Sequence, residues 1–188
     1  RGFLKAGEVV VATNGYTGRD WGFLARRIVP FDAYMIATEP LDPALLDRLL
    51  PNSRTYIDDN LNVTFVRRAP GEPRVLFGGR TGSRFASLEA MAKVQRDDLV
   101  RVLPELAGVR VSNAWTGRCS GTRDLYPHLG VRHGIHFATG YCFAGVPMGT
   151  YFGRKVAAMM LGRADASSVF AELPFGSLPF VARSNWLV

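Results

Sequence analysis

The spacing of apolar residues changes along the chain and predicts strands near both ends with an antiparallel region between them. Residues 8–13 form a valine-rich run typical of a buried strand covered on both faces, and Asn14-Gly15 follows as a turn signal. Residues 62–68 alternate between apolar and polar side chains, and a turn rich in Pro and Gly leads back through residues 74–79. This pattern predicts an antiparallel hairpin. Further extended stretches are predicted at residues 28–38, 109–115, 125–129 and 135–138, the last after a His133-Gly134 turn.

Three segments have the three-to-four-residue spacing of an amphipathic helix. Asp42 is a candidate N-cap for a short helix that starts at Pro43, and Ser87 is one for the longest helix, residues 88–103. The third helix covers residues 147–161 and stops at Gly162. The apolar faces predicted for the first two helices are Leu45, Leu46, Leu49 and Leu50, and then Leu88, Met91, Leu99, Val102 and Leu103. Opposite charges four residues apart predict ion pairs of Glu89 with Lys93 and of Asp97 with Arg101.

The order of these elements predicts the fold class. Strands and helices do not alternate regularly in the middle of the chain. We therefore predict an α+β or α/β fold in which an antiparallel-sheet lobe, flanked by helices, is inserted between two pieces of an α/β domain. The predicted α/β pieces are residues 1–27 and 114–163, the lobe is 28–113, and residues 164–188 form a tail that lies across the surface.

Composition and charge narrow the class of protein. The 188 residues carry a formal net charge of +7, which would suit an anionic cofactor or a nucleic acid. The arginines are scattered and form no basic tract, so nucleic-acid binding rests on charge alone and we do not expect it. The sequence contains no run of about 20 apolar residues, so no membrane span is predicted. Two cysteines do not make a disulfide framework, which leaves the cytoplasm as the default expectation. The chain opens on Arg1 and reaches a strand at once, so we interpret it as a fragment or a processed chain.

Small residues recur every four positions at the start of the last predicted helix. Gly145, Gly149, Gly153 and Ala157 lie on one helix face, although glycine costs a helix about 1 kcal/mol relative to alanine. Such a ridge indicates either the close approach of a flat ligand to the helix or tight packing of the helix on a sheet. The free N–H groups at the helix start would suit an anionic group.

A second informative stretch, residues 115–130, contains Asp124 four positions before His128. This pair is compatible with acid–base chemistry, but an isolated Asp and His at this spacing more often have a structural role. The three histidines and two cysteines show no metal-site spacing, so no metal is expected.

The motifs of residues 115–130, in order WTG, TRD and PHLG, resemble the D-amino-acid-oxidase-like flavoprotein family, which includes glycine oxidase and sarcosine oxidases. In that family a strand, a glycine loop and a helix follow, as in residues 135–161 here. The segment VVVATNGYT at 9–17 resembles the family's strand ending in Ala-Thr-Gly near FAD, with Asn14 placed before the glycine. The resemblance covers nearly the whole chain and is strongest to the γ-glutamylputrescine oxidase branch. It implies the C-terminal part of an FAD-dependent amine or amino-acid oxidoreductase.

The resemblance also implies site residues. Nine residues are expected to contact FAD and four to contact the amine substrate. No residue is assigned a catalytic role. The cofactor-binding residues would be Ala12, Thr13, Gly15, Gly117, Gly140, Tyr141, Gly145, Val146 and Pro147, and the substrate-binding residues Tyr34, Phe65, Arg80 and Phe143. Ordinary packing on a sheet face is an equally good interpretation of the second group.

The sequence departs from the family pattern at informative positions. Glycine-oxidase-like members hold the substrate carboxylate with arginines where this chain has Cys119 and Cys142-Phe143, which favours a larger amine; Arg118 lies one position away. Cys119 does not match the cysteine that carries covalent flavin, so non-covalent FAD is implied. Leu76 replaces a lysine that promotes reaction with oxygen, which leaves the acceptor open.

A Gly-rich phosphate-binding loop of the form GxGxxG is absent from these 188 residues. We therefore expect the chain to need an N-terminal FAD-binding part as its partner, and to be inactive alone. The alternative is a non-catalytic binding or assembly module that has kept this fold.

Overall fold

The computed structural model describes residues 2–60 and 63–178, which form two compact units. Unit 1 consists of the described residues up to Phe31 and from Arg118 onward, and unit 2 of Asp32–Gly117. The fold is a mixture of helices and sheets with an antiparallel sheet in unit 2, in agreement with the predicted class. No helix among the described residues has both the length and the apolar character that crossing a membrane requires.

Unit 1 contains a three-stranded sheet with the order β1-β8-β7. Strand β1, Val9–Val11, runs parallel to β8, Ile135–Thr139, and β7, His128–Arg132, runs antiparallel to β8. The predicted His133-Gly134 turn joins β7 to β8, and both of its residues have positive φ, 52° and 76°. Asn or Gly usually takes such positions because other side chains meet the backbone there.

The prediction that β1 is covered on both faces is wrong for the described residues. Val9 and Val10 are 44% and 43% exposed. The reason is topological, because β1 is the edge strand of its sheet and pairs only with β8. Proteins usually cover or pair an apolar edge strand, because its free backbone N–H and C=O groups can bind another chain.

The two faces of the unit 1 sheet pack against different partners. On one face, helix α4, Gly145–Met160, buries Phe152 and Val156 against Leu129 and Ala138. Side chains alternate along a strand, so Phe137 points to the other face. There it joins an aromatic cluster with Trp21, Phe23 and Phe175, around the short helix α1, Gly22–Ala25.

The tail after α4 contains a short helix, α5, Val169–Glu172, and then packs against unit 1 through Phe175. Phe175 stacks on His128 with ring centroids 4.2 Å apart, and its carbonyl accepts a hydrogen bond from Arg27 Nε at 2.9 Å. The tail up to residue 178 is thus anchored in unit 1. Residues 179–188, the rest of the predicted tail, lie outside the described residues.

Unit 2 is built on a five-stranded sheet with the order β3-β4-β5-β2-β6. The predicted hairpin is confirmed as an antiparallel pair in which Arg68 faces Val75, although residue 62, its predicted start, lies outside the described residues. Its helix α2 is Pro43–Leu49, capped by Asp42 as predicted. The strands are β2, Ile28–Thr38; β3, Tyr56–Ile57; β4, Phe65–Arg68; β5, Val75–Gly79; and β6, Val111–Thr122. Residues 28–31 of β2 and 118–122 of β6 belong to unit 1.

Helix α3, Leu88–Val102, confirms the predicted position and the Ser87 cap, but not all of the predicted faces. Leu88 and Val102 are 45% and 49% exposed, because the helix rests on the sheet through its middle turns. Gln95 is fully buried there and its Nε2 donates to the carbonyls of Tyr34 and Gly79. Arg101 pairs with Asp98 rather than the predicted Asp97, and Asp97 pairs with its neighbour Arg96.

The strands on either side of Asp124 begin and end at residues other than those predicted. Strand β6 continues to Thr122, well beyond residue 115, and β7 starts at His128 instead of residue 125. The cause is a side-chain-stabilised turn, because Asp124 Oδ1 accepts a hydrogen bond from the backbone N–H of Tyr126. Leu125 lies inside this turn with a φ of 61° and therefore cannot be extended.

Candidate functional site

The candidate site of unit 1 lies where the parallel strands β1 and β8 end side by side. In sheets with parallel strands, ligands bind beyond the carboxyl ends of the strands. The segment after β1 contains the predicted residues Ala12, Thr13 and Gly15, and the segment after β8 leads from Gly140 into α4. Ala12 and Thr13 are exposed there, and the Thr13 hydroxyl is hydrogen-bonded to that of Thr17 at 2.7 Å.

Asn14 joins the three segments of the site. Its Oδ1 accepts a hydrogen bond from Ser120 Oγ at 2.7 Å and one from the Gly140 N–H at 3.0 Å. Asn14 has a φ of 45°, a left-handed conformation that asparagine tolerates better than most residues. The sequence indicated a turn at Asn14-Gly15, but it did not indicate that the Asn14 side chain joins three segments of the site. An Asn before Gly at the end of a strand was the available signal for a turn with a fixed side chain.

Gly15 and Gly140 are required by chain packing. A Cβ at buried Gly15 would overlap the Cys119 carbonyl and lie 2.9 Å from the carbonyl carbon of Arg118. Gly140 has a φ of 76°, and a Cβ there would overlap the Thr122 methyl group. Both glycines thus let one backbone segment of the site approach strand β6 closely.

The loop between Gly140 and α4 contains two further left-handed residues. Cys142 and Phe143 have φ values of 44° and 74°. The Cys142 N–H donates to the carbonyl of Ser120 at 3.2 Å, which holds the loop to β6. Phe143 is 54% exposed and its ring centroid lies 5.3 Å from that of Phe31. Burial raises the pKa of the Tyr141 phenol, which is therefore neutral across the physiological range.

The first turn of α4 is open and carries no negative charge. Its N-cap residue, Ala144, supplies no capping side chain, and no acidic residue lies in the first turn. Gly145 has open space around the position of a Cβ, and Val146 is 86% exposed. The predicted residues Gly145, Val146 and Pro147 therefore lie together at a helix start whose N–H groups favour an acceptor or an anion.

The glycine ridge of α4 faces an apolar cavity. Gly149, Gly153 and Ala157 line a cavity of about 240 Å³ together with Val10 and Tyr141. A Cβ at Gly149 or Gly153 would meet no atom within 4 Å. Packing of α4 on the sheet, the simpler interpretation of the ridge, therefore does not explain these glycines among the described residues.

The four predicted substrate residues are not equivalent. Tyr34 is 7% exposed in the core of unit 2 and its hydroxyl donates to the Ser83 carbonyl at 2.8 Å. Arg80 makes a bidentate ion pair with Asp98 at 2.7 and 2.9 Å, and this hydrogen bonding raises the Arg80 pKa. Both side chains thus have structural partners within unit 2. Phe65 is half-buried and lies across its strand partner Gly78, where a Cβ would overlap the ring.

Gly117, the remaining predicted cofactor residue, is the last residue of unit 2, and a Cβ there would meet no atom within 4 Å. Asp124 and His128 are in direct contact, with His128 Nε2 3.1 Å from Asp124 Oδ2. Burial opposes ionisation of Asp124, but hydrogen bonds from His128, Thr122 and the Tyr126 N–H outweigh it and lower its pKa. No group of His, Cys, Asp and Glu in the described part of the chain is arranged to hold a metal ion.

Comparison with known proteins finds a matching family and related sequences. The model of the family described as "FAD dependent oxidoreductase" matches residues 1–159. A probable oxidoreductase OrdL of Haemophilus influenzae is 31% identical over 91% of this chain and 40% of that protein. The gamma-glutamylputrescine oxidoreductase of Escherichia coli is 29% identical over 95% of this chain and 42% of its own length. The chain thus spans about two fifths of the curated relatives that it matches.

Solved structures share the fold at lower sequence identity. Glycine oxidase from Geobacillus kaustophilus superposes with a TM-score of 0.70 at 18% identity, over 93% of this chain and 46% of that one. L-proline dehydrogenase from P. horikoshii gives a TM-score of 0.67, also at 18% identity, over 87% of this chain and 45% of that one. At these identities the similarity concerns the fold alone.

Proposed function

Because the chain belongs to the FAD dependent oxidoreductase family, we propose that it is part of an enzyme that oxidises a C–N bond of an amine or amino-acid derivative. The names of its relatives support this proposal, since they include a gamma-glutamylputrescine oxidoreductase and, by fold, a glycine oxidase. FAD, when bound, would supply the two-electron oxidant of this reaction, in which the substrate becomes an imine that water converts to a carbonyl compound and ammonia or a smaller amine.

The observation that carries the proposal is the open start of α4 beside the ends of β1 and β8. The uncapped N–H groups offer hydrogen bonds and positive potential without a nearby carboxylate. This environment fits the pyrimidine edge of a flavin, where negative charge develops on reduction. The residues proposed to hold FAD are Ala12, Thr13, Gly15, Gly140, Tyr141, Gly145, Val146 and Pro147 in unit 1, and Gly117 in unit 2. We add Asn14, which fixes the loops of unit 1.

The substrate proposed is larger than a simple α-amino acid. Cys119, Cys142 and Phe143 stand where the family resemblance expects arginines, so a two-point clamp on a carboxylate is not available at these positions. Phe143 is exposed and Phe65 presents a flat ring, and both suit the aliphatic part of an extended amine. Tyr34 and Arg80 contribute to this proposal as supports of the unit 2 sheet.

A partner is proposed to cover the apolar surface of unit 1. Val9 and Val10 are exposed on an unpaired strand edge, and the α4 ridge borders the open apolar cavity. An N-terminal FAD-binding part, with the phosphate-binding loop that these residues lack, would pair with this edge and cover the ridge. We propose that FAD is bound non-covalently, because Cys119 does not match the attachment position of the family.

The proposal is tested by adding FAD and an amine panel to the protein, with its N-terminal part where one is present. Flavin absorbance after gel filtration reports binding, and acid precipitation that releases all flavin into solution identifies it as non-covalent. Anaerobic bleaching of the flavin by each amine reports the reductive step independently of the acceptor. We expect γ-glutamyl amines to bleach the flavin faster than glycine does.

Peroxide formation in air then separates an oxidase from a dehydrogenase, a choice that Leu76 at the family's lysine position leaves open. A protein that binds FAD but is bleached by no amine contradicts the proposed reaction. A protein that binds no FAD even with its N-terminal part would instead support the non-catalytic binding or assembly module.

A further inference from the structure

We propose that Asp124 and His128 are positioning residues that act through Thr122 to hold Gly140, and thereby set the first turn of α4 in the site. This inference rests on the proposed function, in which that turn meets the flavin. Nothing in the proposed chemistry requires an Asp–His pair, and neither side chain belongs to the set proposed to touch FAD. The pair nevertheless lies directly behind the loop.

The contact that links the pair to the loop is made by Thr122. Its methyl group occupies the space that a Cβ of Gly140 would need, so the two residues touch without room to spare. Gly140 is buried and its φ of 76° is a left-handed conformation, so the start of the loop has one well-defined geometry. A rotation of the Thr122 side chain would open this contact.

The hydroxyl of Thr122 fixes that rotation. Thr122 Oγ1 lies 2.8 Å from Asp124 Oδ1 and 2.7 Å from the carbonyl oxygen of Tyr126. With its oxygen held on this side, the methyl group is directed at Gly140. Thr122 is 5% exposed, so water does not compete strongly for the hydroxyl.

Asp124 is fixed in turn by His128. The carboxylate accepts from the Tyr126 N–H at 3.1 Å, and its two oxygens lie 3.2 and 3.1 Å from His128 Nε2. His128 is 1% exposed and its ring stacks on Phe175 at 4.2 Å. The Phe175 carbonyl accepts from Arg27 Nε, so the imidazole cannot move away from the carboxylate without displacing the tail.

The loop beyond Gly140 is short and held at both ends. The Gly140 N–H donates to Asn14, the Cys142 N–H donates to the carbonyl of Ser120, and α4 begins at Gly145. Because only four residues separate Gly140 from the start of α4, we expect a displacement of Gly140 to alter the first turn of α4. This gives the Asp124–His128 pair an effect on the site although it does not line it.

The same sheet contains a matched control. His136 in β8 pairs with Glu8 at 3.2 Å, so it repeats the chemistry of a largely buried histidine with a partly exposed carboxylate. This second pair lies toward the start of β8, whereas Gly140 follows its end. If such pairs merely stabilise the sheet, removing either carboxylate should have the same consequences for the loop.

The test compares Asp124→Ala, Asp124→Asn, Thr122→Ser and Glu8→Ala in the FAD-loaded protein. We expect Asp124→Ala and Thr122→Ser to raise the FAD dissociation constant about tenfold, equivalent to about 1.4 kcal/mol, and to shift the visible absorbance band of the bound flavin. Asp124→Asn keeps an acceptor oxygen and should restore the dissociation constant to within about twofold of the wild-type value. Glu8→Ala should leave both the constant and the band unchanged, even if it lowers the melting temperature.

Amide hydrogen exchange of residues 140–144 without FAD gives a readout that does not depend on the proposed function. Faster exchange in Asp124→Ala and Thr122→Ser than in Glu8→Ala supports the positioning role, and equal exchange in all three overturns it. Equal FAD affinities of Asp124→Ala and Glu8→Ala also overturn it. If Asp124→Ala does not fold, Thr122→Ser still tests the contact through which the pair is proposed to act, and exchange equal to that of the wild type in this variant overturns the proposal. A wild-type protein that binds no FAD would refute the proposed function. The exchange rates would still test whether the Asp124–His128 pair positions Gly140.

Discussion

Replacing Asn14 by alanine is the most direct test of the site's architecture. The substitution removes the oxygen that accepts from Ser120 Oγ and from the Gly140 N–H, both in buried residues. The serine hydroxyl is able to rotate toward another acceptor, whereas the backbone N–H is fixed and loses its partner. A buried donor left without an acceptor costs about 1–3 kcal/mol.

Backbone conformation adds a second contribution. Asn14 has a φ of 45°, and an alanine there costs roughly 1 kcal/mol because its Cβ meets the backbone without the local hydrogen bonds of asparagine. We therefore expect Asn14→Ala to lower the free energy of unfolding by about 3 kcal/mol. Asn14→Gly relieves the backbone strain but not the lost acceptor, and should cost about 2 kcal/mol. Asn14→Asp keeps an acceptor oxygen and should cost less than about 1 kcal/mol.

Urea denaturation of the three variants and the wild-type chain measures these differences, provided that the slopes of the transitions agree. The free energy of unfolding should be highest in Asn14→Asp, lower in Asn14→Gly and lowest in Asn14→Ala. A loss of less than about 0.5 kcal/mol in Asn14→Ala, or equal losses in the alanine and aspartate variants, would refute the bridging role of Asn14.

Three further predictions concern packing and pH. Gly15→Ala should destabilise the chain by about 2 kcal/mol or more because the new methyl group meets backbone atoms of β6, whereas Gly108→Ala, in open space, should have little effect; similar losses would contradict the packing. Gly153→Ala should raise the free energy of unfolding of this chain alone by roughly 1 kcal/mol, measured in urea, because a Cβ there has open space. In the protein that includes the N-terminal part, the same substitution should weaken FAD binding, because that part packs on the glycine ridge. Stabilisation in both proteins would show that nothing packs closely on the ridge. The pKa of Asp124 is lowered in the folded chain, so its stabilising contribution is present above the unfolded pKa of about 4 and lost as pH falls through the folded value. Acid titration should therefore show a shallower loss of stability in Asp124→Asn than in the wild type, and identical curves would count against this assignment.

The elements that sequence reasoning predicted correctly are those with local causes. Ser87 and Asp42 cap their helices through residues two and three positions away, and the β4–β5 hairpin follows from alternation around a turn. The family assignment also followed from motifs that lie close together between residues 115 and 161. Such signals are visible in a single sequence because the interacting residues are neighbours.

The features that the sequence did not predict depend on contacts between distant residues. Asn14 meets Gly140 across 126 positions, and Phe175 reaches His128 from the tail. The exposure of Val9 depends on which strands stand beside it, and the valine run alone does not specify the neighbours. The ion pair of Arg80 with Asp98 likewise joins residues 18 positions apart, and the sequence did not predict it.

The parallel pairing of β1 with β8 has a consequence for the order of folding. Unit 2 is one continuous segment whose hairpin closes over a short turn, so its sheet starts with little loss of chain entropy. The pairing of β1 with β8 must wait until the intervening lobe and β8 have been synthesised, because it joins Val9 to Ile135. During translation β1 therefore leaves the ribosome long before its partner exists. The valine-rich strand that later borders the site is thus open to misassociation during this interval, and chaperones that bind short apolar stretches should recognise it.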